Sequence, residues 1–182
     1  MRIIAGSKKG HSLTVSKVGV RPTSERVRES IFNRLDASGI EWIETTVLDL
    51  FAGSAAFALE SLSRGAKLAY AVEKDRDALK AIGINTTKTG LPLNTLKTDA
   101  TKPLRLENPT RFTLIFIDPP YEFANQQITN LLTSLQVQNL LDSHGVCIVE
   151  RSSHTEDFAI PMGFNLEDVR NHGDTRLFWL VW

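Results

Sequence analysis

Cysteine is nearly absent: Cys147 is the single copy in 182 residues. An internal disulfide is therefore excluded, and the chain suits a reducing cytosol. Cys147 lies in the strand-like run GVCIVE and reads as a small buried apolar residue. No apolar run reaches the roughly 18 residues that a membrane span needs. The opening MRIIAGSKKG lacks the apolar core of a signal peptide. The four histidines, at 11, 144, 154 and 172, show no ligand spacing, so no metal is expected. Repeats, low-complexity tracts and interdomain linkers are missing too. What remains is a chain with 42% hydrophobic and 23% charged residues, long enough to bury the core of one soluble domain.

Net charge is zero, but the balance is uneven. Residues 1–34 hold eight basic side chains (Arg2, Lys8, Lys9, Lys17, Arg21, Arg26, Arg28 and Arg34) against Glu25 and Glu29, a net +6. The rest of the chain then carries −6. A basic arm on an acidic body points to a polyanion at one end, with nucleic acid ahead of an ordinary solvated surface.

The pattern of apolar residues supplies an element order. RIIA and HSLTV read as a short hairpin across Gly6–Gly10. A helix follows from near Thr23, with Val27, Ile31 and Leu35 on one stripe and Gly39 as its stop. Strands and helices then alternate: strand 46–51, helix 54–64 closed by Gly65, strand 68–73, helix 75–88 closed by Gly90, and a weaker strand 93–98. Next come the near-continuous apolar strand 112–118, a helix at 124–141, and the strand 146–151. FNLEDVRN and TRLFWLVW around His172-Gly173-Asp174 read as a closing hairpin. Alternation of this kind predicts an α/β fold with a doubly wound, mostly parallel sheet. Residues 1–39 are expected to form a basic hairpin-and-helix extension, and residues 40–182 the core of one domain.

In such sheets ligands sit beyond the carboxyl ends of the strands. The first strand carries Asp49 and runs into Phe51, Ala52, Gly53 and Ser54, a small-residue turn that lets backbone approach a ligand. The second ends on Glu73, followed by Lys74; an acid there can accept hydrogen bonds from ribose hydroxyls. The third ends on Asp99 and Ala100, where Asp99 could equally be a helix cap. The fourth ends on Asp118-Pro119-Pro120-Tyr121. Two successive prolines cannot donate to a sheet ladder, and they stiffen the chain where the acid and the aromatic emerge. Acids at consecutive strand ends would repel a pyrophosphate. They suit a cationic, phosphate-free nucleoside such as S-adenosylmethionine.

These stretches resemble the class I S-adenosylmethionine-dependent methyltransferases. More narrowly they resemble the small-subunit (16S) ribosomal RNA guanine-N2 methyltransferase family. The likeness spans nearly the whole chain: MRIIAG with its basic loop, RPTSERVRESIFN, VLDLFAGS, LESLSRGA, VEKD, FIDPPY and GDTRL. It implies a Rossmann-like, seven-stranded sheet with an antiparallel last strand, preceded by the hairpin and helix. It also implies methyl transfer to the exocyclic amine of a guanine in 16S rRNA of the small subunit or an assembly intermediate, in the cytoplasm. Asp49 through Ser54 then resemble the cofactor turn, Glu73 and Lys74 the ribose corner, Asp99 and Ala100 the adenine corner, and Asp118 through Tyr121 the target-base motif. Lys8, Lys9, Arg21 and Arg28 are expected to contact RNA phosphates. Nothing in the residues sets an oligomeric state beyond a monomer. The chain departs from the family at one informative place: where the family reads G-S-G-A-L-G, this sequence reads Gly53-Ser54-Ala55-Ala56-Phe57-Ala58.

The chemistry accounts for the Asp-Pro-Pro-Tyr stretch. A guanine N2 amine is a poor nucleophile because its lone pair is delocalised into the ring. Asp118 can accept one amine N–H and the Pro119 carbonyl the other, aiming the lone pair. The prolines keep both acceptors still, and Tyr121 can stack on a base that has left its helix. The same motif serves adenine N6 or cytosine N4 in DNA, or a glutamine amide. A non-catalytic RNA-binding or ribosome-assembly module with this fold is the alternative from another class, and Ala55 is the feature that favours it.

Overall fold

The computed structural model describes residues 1–15, 24–106 and 110–182. Seven strands form one sheet: β1 (Thr46–Leu50), β2 (Leu68–Glu73), β3 (Leu93–Lys97), β4 (Phe112–Ile117), β5 (Leu141–Ser152), β6 (Asn165–His172) and β7 (Thr175–Val181). Their order is β3-β2-β1-β4-β5-β7-β6. β1 to β5 run parallel, β7 is antiparallel to β5, and β6 pairs antiparallel with β7. This is the Rossmann-like class I methyltransferase sheet expected from the sequence. Its order reverses between β1 and β4, and a crevice opens at such a switch point.

Four helices cover the sheet: α1 (Glu25–Ala37), α2 (Ala56–Arg64), α3 (Arg76–Thr89) and α4 (Asn125–Val137). On one face Val47, Leu114, Phe116 and Ile148 pack against Ile31 and Phe32 of α1, Phe57 and Leu59 of α2, and Ile82 of α3. The Phe57 and Phe116 rings stack at 4.5 Å. On the other face Leu48, Ile115, Ile117 and Val149 meet Ile128, Leu131, Leu132 and Leu135 of α4. Central strands buried on both faces must be apolar throughout, which is why β4 reads FTLIFI. Cys147 is buried in β5, as expected.

Several boundaries differ from the sequence reading. The helix expected at 124–141 stops at Val137, because Asn139 takes the left-handed conformation (φ 53) in place of a glycine. β5 begins at Leu141, which pairs with Phe112 before the register shifts to Leu114 opposite Val146. Residues 142–145 therefore bulge, and a Cβ on Gly145 would lie 2.8 Å from the Asp142 carbonyl oxygen. The N-terminal hairpin is held by one bridge, Arg2 to Ser12, around a tight turn at Gly6–Lys8. The helix foreseen from near Thr23 begins at Glu25, with Ser24 Oγ accepting the Val27 N–H at 3.2 Å. Thr23 and Arg21 lie outside the described residues.

Side chains rather than a ladder fasten the extension to the core. Glu60 of α2 is fully buried, accepting the backbone N–H groups of Ile4 and Ala5 at 2.7 and 3.0 Å and the Nε–H of Arg64 at 2.9 Å. Gly6 sits so close to α2 that a Cβ would fall 1.8 Å from the Ser63 carbonyl oxygen. Ser63 Oγ in turn donates to the Ala5 carbonyl at 2.6 Å and accepts the Lys8 N–H at 2.9 Å.

Candidate active site

The carboxyl ends of β1 to β5 surround a cavity of about 340 Å³, at the small end of the range for ligand pockets. The described side chains that line it include seven carboxylates against three cations, Arg28, Lys74 and Arg151. A site of that sign repels polyphosphates and attracts a cation.

The turn out of β1 is the tightest part. Phe51, Gly53 and Ala55 all have positive φ (61, 55 and 59). Ala55 is wholly buried at φ 59, ψ 35, a conformation that costs a non-glycine residue roughly 1–2 kcal/mol. The position that lost its glycine is thus one that uses a left-handed backbone. The Gly53 N–H donates to Glu73 Oε2 at 2.8 Å. The Glu73 carboxylate also accepts from the N–H groups of Lys74 and Asp75, at 2.7 and 2.8 Å on Oε1. Asp49, one turn below, is almost completely buried and accepts the Ala58 N–H at 3.1 Å. Burial raises its pKa well above the usual carboxylate value. Asp118 and Glu73 push the same way, and the Ala58 N–H opposes them.

At the outer end, Asp99 accepts from Lys74 Nζ at 2.8 Å and from the N–H and hydroxyl of Thr101 at 3.0 and 2.8 Å. The Lys74 hydrogen bond, followed by that from Thr101, brings its pKa to about 2. Ala100 is buried beside it. Across the switch point Asp118, Pro119, Pro120 and Tyr121 face the same cavity. Pro119 is buried, whereas Tyr121 is 56% exposed. The two sides touch: the Phe51 and Phe123 rings meet edge to face at 5.1 Å.

All thirteen residues expected at the cofactor and target-base sites therefore lie at one crevice. The expected RNA contacts do not stay together. Lys8 is tied to Ser63 at the carboxyl end of α2, and Lys9 follows it. The cavity lies at the amino end of that nine-residue helix, about 13 Å away. Arg28 is not on open surface either. It is 1% exposed, lines the cavity, and donates through Nη2 to the Arg2 carbonyl. Its side chain lies on the core-facing stripe of α1 with Val27, Ile31 and Leu35, so helix geometry turns it inward.

Three buried polar groups escaped the sequence reading. Asn85 of α3 bonds both backbone groups of Thr14, at 2.7 and 2.9 Å, and donates to the Ser54 carbonyl at 3.0 Å. It thereby bolts the extension to the turn after β1. Arg151 of β5 donates to the Phe123 carbonyl at 2.6 Å and to Asn125 Oδ1 at 3.2 Å, holding the loop after Pro120. Glu60 is the third. Asn85 could have been flagged, since it is a polar residue on the same helix stripe as Ala78, Ala81 and Ile82. Among the described residues no cluster of His, Cys, Asp and Glu could hold a metal, and no helix is long and apolar enough to cross a membrane.

Known proteins share this arrangement. The family model described as Conserved hypothetical protein 95 matches residues 1–181. YlbH of Bacillus subtilis, provisionally named an rRNA methyltransferase, is 35% identical over 161 residues, covering 86% of this chain and 85% of that protein. The ribosomal RNA small subunit methyltransferase D of Haemophilus influenzae is 34% identical over 141 residues, covering 72% and 70%. A solved Escherichia coli structure, provisionally named the methyltransferase yhhF, superposes with a TM-score of 0.82 at 28% identity, covering 99% of this chain and 96% of that one.

Proposed function

The chain belongs to the small-subunit ribosomal RNA methyltransferase D family, and on that premise we propose that it moves a methyl group from S-adenosylmethionine to the exocyclic N2 amine of a guanine in 16S rRNA. The observation that carries this reading is the Asp118-Pro119-Pro120-Tyr121 stretch facing, across one cavity, the strained turn after β1.

The donor set fits the cofactor. A carboxylate offers about four acceptor positions, and protein N–H groups take three on Glu73, leaving one on Oε2 for a ribose hydroxyl. Asp99 and the buried Ala100 would border the adenine, with Lys74 holding Asp99 in place. The small residues Ala52, Gly53 and Ser54 allow backbone contact, and the excess of carboxylates favours a cation. When bound, S-adenosylmethionine supplies a methyl group on an electron-poor sulfonium.

The chain's own residues then do the positioning. Asp118 accepts one N–H of the amine and the Pro119 carbonyl the other, so the lone pair points out of the base plane toward the methyl carbon. The rigid prolines set these acceptors beforehand, and no proton has to leave the amine first. Tyr121 stacks on the base, which must be unpaired or flipped to enter. Arg151 keeps the loop from relaxing through its bond to the Phe123 carbonyl. Lys8 and Lys9, a helix length from the cavity, suit phosphates flanking the target and carry no base information.

One observation favours a second reading. Ala55 in a left-handed conformation weakens the case for tight cofactor binding and leaves room for an RNA-binding module without activity. Methyl transfer to small subunits lacking the modification, with the product nucleoside identified by mass spectrometry, separates the two. N2-methylguanosine is the expected product. N6-methyladenine in DNA would overturn the substrate, and no transfer would favour the binding module.

A further inference from the structure

Arg28 is the side chain least explained by the roles given so far. Its guanidinium is 1% exposed, yet Nε and Nη1 have no hydrogen-bond partner among the described residues. Glu60 and Glu25 are its nearest counter-charges, but neither is hydrogen-bonded to it among those residues. Glu60 serves Ile4, Ala5 and Arg64, while Glu25 faces the chain's amino group and Arg2. A buried charge with most of its N–H groups unpaired is costly, so a structure that keeps one has a use for it. A backbone phosphate of folded RNA cannot reach a group this enclosed. A small anion inside the cavity can.

We infer that Arg28 is the anion subsite of the cofactor pocket and holds the carboxylate at the amino-acid end of S-adenosylmethionine. The inference rests on the cofactor reading above and goes on to name the residue that reads the far end of the molecule. With the ribose at Glu73, the adenine at Asp99 and the methyl group directed at Asp118, the amino-acid end is left for the part of the cavity lined by Met1, Val15, Arg28 and Ser54. Its carboxylate needs a cation in a pocket dominated by acids. Of the three described cations lining the cavity, Lys74 is paired with Asp99 at the adenine end, and Arg151 donates twice to the loop before α4, with Nε its one buried nitrogen lacking a partner among the described residues. Arg28 remains, with the N–H groups of Nε and Nη1 unspent. A planar guanidinium meeting a carboxylate is the pairing for which arginine is best suited.

The location also gives the N-terminal extension a task. Met1, Val15 and Arg28 all come from it, and Asn85 ties its backbone at Thr14 to Ser54 of the cofactor turn. The extension closes one end of the pocket as well as carrying surface lysines.

Calorimetry on the full chain tests this with a ligand pair: S-adenosylmethionine and its decarboxylated analogue. Removing a carboxylate makes the ligand more cationic. In a pocket of seven acids and three cations, general electrostatics alone would tighten binding. If Arg28 grips the carboxylate, the analogue instead binds about ten- to a hundredfold more weakly, as expected for lost charge-assisted hydrogen bonds. Equal or tighter binding of the analogue overturns the inference while leaving the cofactor reading intact. No binding of either ligand overturns both. Arg28→Met should erase the difference between the two ligands, and Arg28→Lys should keep part of it. A variant that weakens RNA binding but preserves the difference would return Arg28 to the RNA. Because the wild-type comparison needs no variant, instability of Arg28→Met cannot decide the outcome.

Discussion

The chain leaves β1 through three left-handed residues and leaves β4 through two prolines. These exits are neighbours across the switch point, and both bring backbone to the same cavity. The β1 exit is held by outside partners: Glu73 on Gly53, Asn85 on Ser54, Val72 on Ala52. The β4 exit is stiffened from within, because proline fixes φ covalently, and it is tied downstream by the Phe123 N–H on the Pro120 carbonyl and by the Arg151 clamp. The lesson is that rigidity built from hydrogen bonds is spread over many residues and tolerates a misfit such as Ala55. Rigidity built into the residues themselves is local, and its chemistry rests on few groups. Substitutions should therefore be graded at the first exit and severe at the second.

The largest effect is expected at Asp118. Asp118→Ala should abolish detectable transfer while thermal denaturation and cofactor calorimetry stay near wild type. Asp118→Asn should retain slow transfer, reduced about 10²–10³-fold, since its carbonyl still accepts one hydrogen bond. Full activity in Asp118→Ala would break the contrast between the exits. At the first exit, Glu73→Ala frees three backbone N–H groups and removes the proposed ribose acceptor. Cofactor affinity should fall about ten- to a hundredfold, read by calorimetry, with much less change in RNA binding.

Tyr121→Ala should lose stacking worth about 1–3 kcal/mol, seen as a raised KM for RNA. Tyr121→Phe should be nearly silent. Asp49 provides a pH test. Its folded-state pKa is raised, so its contribution to stability is fully present below the ordinary carboxylate pKa. That contribution is lost as pH rises toward the folded value. Asp49→Asn removes this loss, and urea titrations from pH 4 to 7 should show a flatter decline than wild type. Asp99, depressed to about 2, acts in the opposite sense: its contribution is present above the ordinary value and fades only as pH falls toward 2. It is partly exposed and its partner Lys74 is well exposed, so solvent screening keeps its share small.

The smallest effect is expected for Ala55→Gly. Relief of roughly 1–2 kcal/mol of left-handed strain is offset by a lost buried methyl, about 0.8 kcal/mol, and by glycine's backbone entropy, about 0.5–1 kcal/mol. Stability should change by less than about 1 kcal/mol, and cofactor affinity should rise a few-fold at most. A tenfold or larger gain would mean that the turn is a point of weakness rather than a tolerated misfit.

The order of elements along the chain and the residues of the crevice were legible because both depend on local signals. Apolar runs of five or six residues mark buried parallel strands, glycines mark the ends of α1, α2 and α3, and acids mark the strand tips. Boundaries without such signals were misread. Asn139 ended α4 in place of a glycine, and the bulge at 142–145 hid the first residue of β5. The charge count over residues 1–34 was correct as arithmetic and poor as geography. It treated Lys8 and Arg28 alike, although one lies at the far end of α2 and the other is enclosed beside the pocket.

By itself the sequence determined the α/β alternation, the residues at the strand tips and the presence of an Asp-Pro-Pro-Tyr turn, since each is set by side-chain periodicity or by a residue's own backbone limits. Only the tertiary structure decided which polar side chains would be buried together. Asn85 meets Thr14 from 71 positions away, Glu60 meets Ile4 from 56, and Arg28 turns toward the cavity because α1 presents that stripe to the core. Those placements depend on how helices dock across the sheet, and desolvation, which sets the energy and the use of each group, exists only once they have docked.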